Sequence, residues 1–295
     1  MKVEWPKSGH YVVAVSGGVD SMSLLHMLHN RPDYKLTVAH FDHGIREDSA
    51  EDRQFVEAVA KLYGRPFVYA EGDLGYGASE AEARNARYKF LKSVRRANRA
   101  DAIITAHHQN DLLETAILNM LRGTGRRGLT SLSSGNELVR PLLKVSKEEI
   151  LDYAVANSLD WRDDATNQDI SYFRNYIRHR LLPRFSQADK SKLTSIISEM
   201  QLTNQRLDDL LVDELRHQSQ MDKLDRAWFN HLPHDVAREV LATWLRTNQA
   251  GYDRKSLERL VVAAKTAKPG KKFPVAKEVQ LSVAPRHLAL VYKER

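Results

Sequence analysis

Residues 11–21, YVVAVSGGVDS, place a short apolar run directly before two glycines, an acid and two serines. The apolar run predicts a buried β-strand, and the following MSLLHMLH (22–29) predicts an amphipathic helix. A glycine-containing turn between a strand and a helix directs unpaired backbone N–H groups and the positive end of the helix dipole at one point. Because such a point favours an anion, SGGVDS (16–21) is a candidate phosphate loop.

The residue types of this loop fit a phosphate site. Gly17 and Gly18 allow close approach of the backbone, and the hydroxyls of Ser16 and Ser21 can donate to phosphate oxygens. Asp20 fits only when a metal ion lies between it and the phosphate. The alternative is a turn without a ligand, in which Asp20 or Ser21 caps the helix. The chain has no GxxxxGK[ST] motif, and SGGVDS lacks the third glycine of a dinucleotide fingerprint, so these two nucleotide sites are excluded.

The 295-residue chain is basic, with a net charge of +7 and a pI of about 9.4. Residues 84–99 hold seven Lys or Arg and no acid, and residues 174–184 form a second basic cluster. Stripes of this density favour a polyanion, and we predict that Arg95, Arg96 and Arg99 bind nucleic acid. A solvated helix face is the alternative.

The chain contains no cysteine, which excludes disulfides, thiolate zinc sites, iron–sulfur clusters and cysteine nucleophiles. No apolar segment has the length of a signal peptide or approaches the roughly 20 residues of a membrane span. We therefore expect a cytoplasmic protein without a membrane partner. Whether the chain acts alone or as a homodimer is left open.

Strands and helices alternate in the first half of the chain, which predicts an α/β fold with an open parallel sheet, Rossmann-like, and helices on both faces. After Pro141 the pattern becomes mainly helical, with a few closing strands near the end. The length supports two domains, 1–186 and a smaller one at 187–295. The predicted strands of the first domain are 11–15, 35–41, 101–107 and, more weakly, 65–70.

The second informative segment is HHQNDLLETAILNML (107–121), whose apolar residues follow a helical stripe. The helix is expected to begin near Asp111, with His107, Asp111 and Glu114 at its mouth. Helix capping is the alternative, since the acids have the spacing of a capping box. The carboxyl ends of parallel strands meet at one edge, however, and Asp20 and Asp111 follow different strands. We therefore predict that these two acids share a Mg²⁺ that serves ATP phosphates.

Taken together, the motifs resemble a known family. SGGVDS is similar to the pyrophosphate loop, or PP-loop, of the N-type ATP pyrophosphatases, which cleave ATP between its α and β phosphates. The combination is more specific and, over roughly residues 11–185, resembles the tRNA(Ile)-lysidine synthetases. The further segments that carry this resemblance are HFDHGIRED (40–48), ARNARY (83–88), TAHHQNDLLETAILNMLRGTGRRGL (105–129) and DDATNQDISYFRNYIRHRLLP (163–183).

The resemblance implies an adenylation followed by a substitution on tRNA(Ile) with the anticodon CAU. The C2 oxygen of cytidine 34 attacks the α-phosphate of ATP and releases pyrophosphate, and the side-chain amine of free L-lysine then displaces AMP. The product, lysidine, pairs with A instead of G, so the codon read changes from AUG to AUA and the tRNA becomes an isoleucine acceptor. ATP, Mg²⁺, L-lysine and this tRNA are the implied cofactors and substrates.

The resemblance also implies roles for individual residues at the ATP site. Asp20 and Asp111 would hold Mg²⁺, Arg84 and Arg87 would counter phosphate charge, and His43 would lie near the adenosine. The residues implied to cradle the pyrophosphate are Ser16, Gly17, Gly18, Val19, Asp20 and Ser21.

Further roles concern the reacting centre and the tRNA. His107 and Glu114 would lie near the reacting atoms with Asp20 and Asp111, and Glu114 would receive the lysine ammonium. Arg174 is assigned to tRNA, with a structural arginine as the alternative, and residues 187–295 are expected to bind tRNA. Two alternatives to the activity are a non-catalytic ATP- or RNA-binding protein of the same fold and a PP-loop tRNA thiolase, which the absence of cysteine disfavours.

Overall fold

A computed structural model of the protein describes residues 1–42, 49–72, 80–162, 173–220 and 222–292. Two compact units make up the chain, Met1–Gln201 and Leu202–Arg295. The boundary expected after residue 186 stays a prediction. Residues 43–48, which include His43, and residues 163–172 lie outside the described residues.

The first unit is built on a five-stranded sheet whose pairings are all parallel. Its strands are β1 (Gly9–Ala14), β2 (Tyr34–Asp42), β3 (Phe67–Glu71), β4 (Ala102–Ile104) and β5 (Leu138–Val139). Their order is β3-β2-β1-β4-β5. Strands β2 and β3 are therefore added on one side of β1, and β4 and β5 on its other side. The predicted parallel sheet is confirmed. Strand β5 was not predicted, because two residues are too few to show any periodicity.

Helices cover both faces of this sheet, as the alternation along β1 shows. Tyr11, Val13 and Val15 pack in one apolar cluster, whereas Val12 packs in another. The helical segments are α1 (Val19–His29), α2 (Ser49–Leu62), α3 (Glu80–Ala97), α4 (Gln109–Leu121), α5 (Arg126–Leu129), α6 (Lys147–Ala156), α7 (Phe173–Tyr176), a π-helical turn (Ile177–Leu181), a 3₁₀ turn (Leu182–Arg184) and α8 (Gln187–Gln218).

The second unit combines the C-terminal part of α8 and the helices α9, α10 and α11 with an antiparallel sheet, in agreement with the predicted mainly helical region and its closing strands. Its core is formed around the buried rings of Phe229 and Trp244. The elements are β6 (Ser219–Gln220), β7 (Lys223–Asp225), α9 (Arg226–His231), α10 (His234–Thr247), α11 (Arg254–Thr266), β8 (Lys272–Ala276), β9 (Val279–Val283) and β10 (His287–Tyr292). The sheet order is β6-β7-β10-β9-β8.

Among the described residues, no helix combines the length and the apolar character that crossing a membrane requires.

Candidate active site

The loop between β1 and α1 is a tight turn built on two glycines. Gly17 has a φ of 95°, a left-handed conformation that a residue with a side chain rarely adopts. Gly18 is the N-cap of α1 and supplies no side-chain acceptor to the first turn, so N–H groups of that turn stay available to a ligand. The loop is tied together by Ser21, whose hydroxyl donates to Gly18 O at 2.9 Å and accepts from Ser16 N at 3.1 Å.

Asp20 is the second residue of α1 and does not act as its N-cap. Its carboxylate Oδ1 accepts a hydrogen bond from Lys147 Nζ at 2.6 Å. The other oxygen, Oδ2, lies 3.6 Å from His108 Nε2. The capping interpretation of Asp20 therefore does not describe this structure, and Ser21 is the residue that stabilises the turn.

Asp111 does contribute to capping. His108 is the N-cap of α4, its ring accepts from Asn110 N, and its backbone N–H donates to Asp111 Oδ2 at 2.9 Å. The helix consequently begins at Gln109, two residues earlier than expected. Arg178 Nη2 also donates a hydrogen bond to Asp111 Oδ1 at 3.3 Å. Capping therefore accounts for only part of the contacts of this carboxylate.

The imidazole of His108 links the two acids that the sequence placed directly after different strands. His108 Nε2 is 3.6 Å from Asp20 Oδ2 and 3.6 Å from Asp111 Oδ2. The three side chains come together because β1 and β4 are adjacent and parallel, so that α1 and α4 start at the same edge of the sheet. The predicted juxtaposition of Asp20 and Asp111 is thus present.

Glu114 is fully buried and held by two arginines. Arg178 donates from Nε to Oε1 at 2.7 Å and from Nη2 to Oε2 at 2.8 Å, and Arg174 Nε donates to Oε2 at 3.2 Å. The turn from α7 into the π-helix directs both arginines at the same carboxylate. A lysine ammonium would have to share or replace these partners, so that role of Glu114 stays a prediction.

His107 faces the basic side of the site. Its Nδ1 lies 2.8 Å from Thr105 Oγ1. Burial lowers the pKa of His107 to about 3; the Asp111 carboxylate opposes this shift, and the charges of Arg140, Arg87 and Arg84 add to it. A neutral imidazole at physiological pH can donate or accept a hydrogen bond but does not supply a fixed positive charge.

Asp111 is ionised in this environment. Burial alone raises the pKa of its carboxyl, but the neighbouring His108 ring, the His108 backbone N–H and the Arg178 guanidinium together hold that pKa below its usual range. Carboxylate oxygens that stay charged are suited to bind a hard cation.

The predicted nucleic-acid arginines differ in their surroundings. Arg95 Nη2 donates to Glu137 Oε1 at 2.6 Å, which places its charge in an ion pair at the C-terminal end of α3. Arg96 and Arg99 are exposed. Arg174 contacts Glu114 and Thr115, as a structural arginine does, and its assignment to tRNA stays a prediction.

Three residues at the site were not identified from the sequence. Lys147 has no motif around it, and only the packing of α6 against α1 brings it to Asp20. Arg140, which is buried and whose Nε has no hydrogen-bond partner among the described residues, lies in a short connection after β5. Arg178 has one usable signal, since it lies four residues after Arg174 and so falls on the same helical face.

A family model of the PP-loop domain matches residues 2–185 of the chain. The match therefore includes β1–β5, the glycine turn and the acids of α1 and α4.

Curated relatives named tRNA(Ile)-lysidine synthase are similar to the chain. The protein of Thermotoga maritima is 42% identical over 59% of this chain and 44% of its own length. That of Solibacter usitatus is 40% identical over 59% of this chain and 40% of its own length. The Staphylococcus aureus (strain MRSA252) protein is 31% identical over 95% of this chain and 68% of its own length. The first two matches thus span less than half of those relatives.

Proposed function

The chain belongs to the PP-loop family of the tRNA(Ile)-lysidine synthases, and on that premise we propose that it ligates L-lysine to cytidine 34 of tRNA(Ile) with the anticodon CAU, at the expense of ATP. The observation that carries this proposal is the convergence of Asp20 and Asp111 on His108 Nε2, directly beside the glycine turn. An acid pair beside a phosphate cradle is what a metal-dependent cleavage of ATP needs.

The glycine turn supports ATP binding. The left-handed Gly17 and the side-chain-free N-cap Gly18 leave the backbone at the start of α1 open to a phosphate chain. A Cβ placed on Gly18 would meet Ser16 Oγ at 3.6 Å and Arg162 O at 3.9 Å, which are ordinary van der Waals contacts, so packing within the protein does not by itself require a glycine here. We assign the pyrophosphate to residues 16–21, with Arg84 and Arg87 as further counter-charges.

The donor set fits Mg²⁺. Within the parts of the chain that the structure describes, no group of three His, Cys, Asp or Glu side chains could hold a metal by itself. Mg²⁺ often takes only one or two carboxylates and completes its shell with water and substrate phosphates. Asp20 and Asp111 would therefore hold it, and when bound it would neutralise charge on the phosphates.

The proposed chemistry has two balanced steps. The C2 oxygen of cytidine 34 forms a bond to the α-phosphorus of ATP while the bond to the pyrophosphate oxygen breaks. The lysine side-chain ammonium gives one proton to water, and the neutral amine then bonds to C2. The C2–O bond breaks, AMP leaves with the former C2 oxygen, and the product base keeps the remaining proton as a cation. Neutral His107 is suited to a hydrogen bond near the reacting atoms, and buried Glu114 keeps Arg174 and Arg178 in position.

Selection of the tRNA requires contacts outside the anticodon, because the elongator methionine tRNA shares CAU. We assign these contacts to the basic face of α3 and to residues 187–295. The chain's net charge of +7 supports association with a polyanion.

The test is direct. The protein is incubated with Mg²⁺, ATP and a CAU-anticodon tRNA(Ile), with and without L-lysine, and the digested tRNA is analysed by mass spectrometry. Lysidine at position 34 in the lysine-containing reaction is the expected result. Unmodified C34 with folded protein that still binds ATP would overturn the assignment in favour of a non-catalytic ATP- or RNA-binding protein.

The exposed cations at the C-terminal end of α3 and directly after it, Arg96 and Arg99, are expected to control the salt dependence of tRNA binding. In the variant carrying Arg96→Gln and Arg99→Gln, the negative slope of log affinity against log salt should become shallower by up to about two units. Each phosphate that is no longer neutralised accounts for about one unit at most. Arg95→Gln should change the slope less, since its charge is already paired with Glu137. Filter binding over a salt series measures these slopes.

The matched control removes two exposed cations elsewhere in the same unit, Lys2→Gln with Lys7→Gln. This control has the same net charge as the α3 variant. If both double variants flatten the slope equally, α3 is not a specific contact surface.

A further inference from the structure

Lys147 joins two elements of the candidate active site that are far apart in the chain. It is the first residue of α6, and its Nζ lies 2.6 Å from Oδ1 of Asp20, 127 residues away. The contact is made by the carboxylate that we assign to Mg²⁺, directly beside the glycine turn. This acid therefore has a cation of the protein itself as its partner.

The backbone that carries Lys147 is fixed. Ser146 Oγ accepts from Glu149 N at 3.1 Å, and Glu149 Oε2 accepts from Ser146 N at 3.0 Å, which forms a complete capping box. Val145 O accepts from Gln109 N at 3.0 Å, at the first residue of α4. The start of α6 is therefore tied to the helix that carries Asp111, while the long Lys147 side chain remains able to turn about its own bonds.

Stability does not explain the contact between Lys147 and Asp20. Both side chains are 30% exposed, and an ion pair this open to water adds little to folding. The buried ion pairs of Glu114 differ in this respect, because that carboxylate is fully out of water. A solvent-accessible pair can also exchange partners at small cost.

We propose that Lys147 is a phosphate-binding residue that pairs with Asp20 in the absence of nucleotide and moves to a phosphate oxygen when Mg²⁺–ATP binds. This inference rests on the proposed use of ATP at the glycine turn. The ammonium group is a compact charge on a flexible stem, which suits it to a phosphate oxygen. In the same exchange the Asp20 carboxylate becomes free to bind the metal. The Lys147 ammonium is then neutralised by the phosphate, and the Asp20 carboxylate by Mg²⁺.

The exchange has two opposite consequences. Without nucleotide, Lys147 competes with a divalent cation for Asp20. With nucleotide, it strengthens binding through the phosphate contact. A residue that only stabilised the fold would produce neither effect.

Two binding measurements on the full chain test this inference, both in the absence of tRNA and lysine. In Lys147→Met, calorimetry is expected to find Mg²⁺–ATP bound roughly tenfold more weakly, the effect of removing one charge-assisted hydrogen bond. Electron paramagnetic resonance measures the binding of Mn²⁺ in the absence of nucleotide. Lys147→Met is expected to bind Mn²⁺ more tightly than the unsubstituted protein does. Lys147→Arg should keep most of the Mg²⁺–ATP affinity.

Lys144→Met is the matched control, because Lys144 lies three residues earlier and pairs with Glu4 at 2.7 Å. It removes the same charge and should change neither affinity. Unchanged Mg²⁺–ATP affinity in folded Lys147→Met, or an equal loss in Lys144→Met, overturns the inference. If the unsubstituted chain binds Mg²⁺–ATP but leaves C34 unmodified, the proposed function fails, whereas the assignment of Lys147 is judged by the binding data alone.

Discussion

Replacing Asp20 with asparagine is expected to slow pyrophosphate release by about 100-fold or more, while the free energy of unfolding changes by less than about 0.5 kcal/mol. The amide has the shape of the carboxylate but lacks the charge that a metal and its phosphates require. The fold should tolerate the change, because Asp20 is not the N-cap of α1 and its pair with Lys147 is open to water. Pyrophosphate release and thermal melts on the same preparation separate the two effects.

Asp235→Asn provides the matched control. Asp235 is also the second residue of a helix whose N-cap gives no side-chain hydrogen bond, and it is ion-paired with Arg238 at 3.3 Å. At saturating tRNA, the turnover of this variant should be unchanged. If Asp20→Asn keeps its turnover but melts at a lower temperature, the carboxylate is a structural group and the metal assignment is wrong.

Replacing Arg178 with methionine is expected to lower the free energy of unfolding of the unit Met1–Gln201 by about 3 kcal/mol, because it removes the main partner of a carboxylate that has no access to water. Of the arginine contacts described above, Glu114 would keep the 3.2 Å one from Arg174. Hydrogen exchange followed by mass spectrometry measures the loss, since it reports the peptides of α4 separately from those of residues 202–295.

Three further variants show whether the buried charge is the cause. Arg174→Met should cost less than Arg178→Met, because it removes one contact to Glu114 rather than two. Arg180→Met removes an exposed arginine from the same segment and should stay within about 0.5 kcal/mol. Adding Glu114→Gln to Arg178→Met should recover part of the loss. A double variant less stable than Arg178→Met would contradict this explanation.

Local signals in the sequence were sufficient for the sheet and the glycine turn. Buried parallel strands are continuous apolar runs, and β1 and β2 were recognised in this way. The glycine turn followed from its residue types between a strand and a helix. The meeting of the acids at the starts of α1 and α4 followed from the rule that strand ends meet at one edge. The short strands β5, β6 and β7 and helix α9 were missed, since they are too short or too irregular to show a period.

The sequence did not predict which residues form ion pairs with the charged groups. Arg95 was predicted to bind nucleic acid from the charge of its helix, but Glu137 lies against it although it is 42 residues away. Glu114 was expected to face a substrate ammonium, but it is enclosed by Arg174 and Arg178. In both cases the sequence located the residue on its helix, but its charged partner came from a distant part of the chain.

The sequence by itself therefore determined the parallel sheet, the glycine turn and the edge at which Asp20 and Asp111 meet, because periodicity, glycine and chain direction are local properties. Only the tertiary structure decided which cation neutralises each acid. Lys147 reaches Asp20 because α6 packs on α1, and Arg178 reaches Glu114 because a π-helical turn follows α7. Electrostatic energy depends on the distance between charges in space and on their exposure to water, and neither quantity is a function of their separation along the chain.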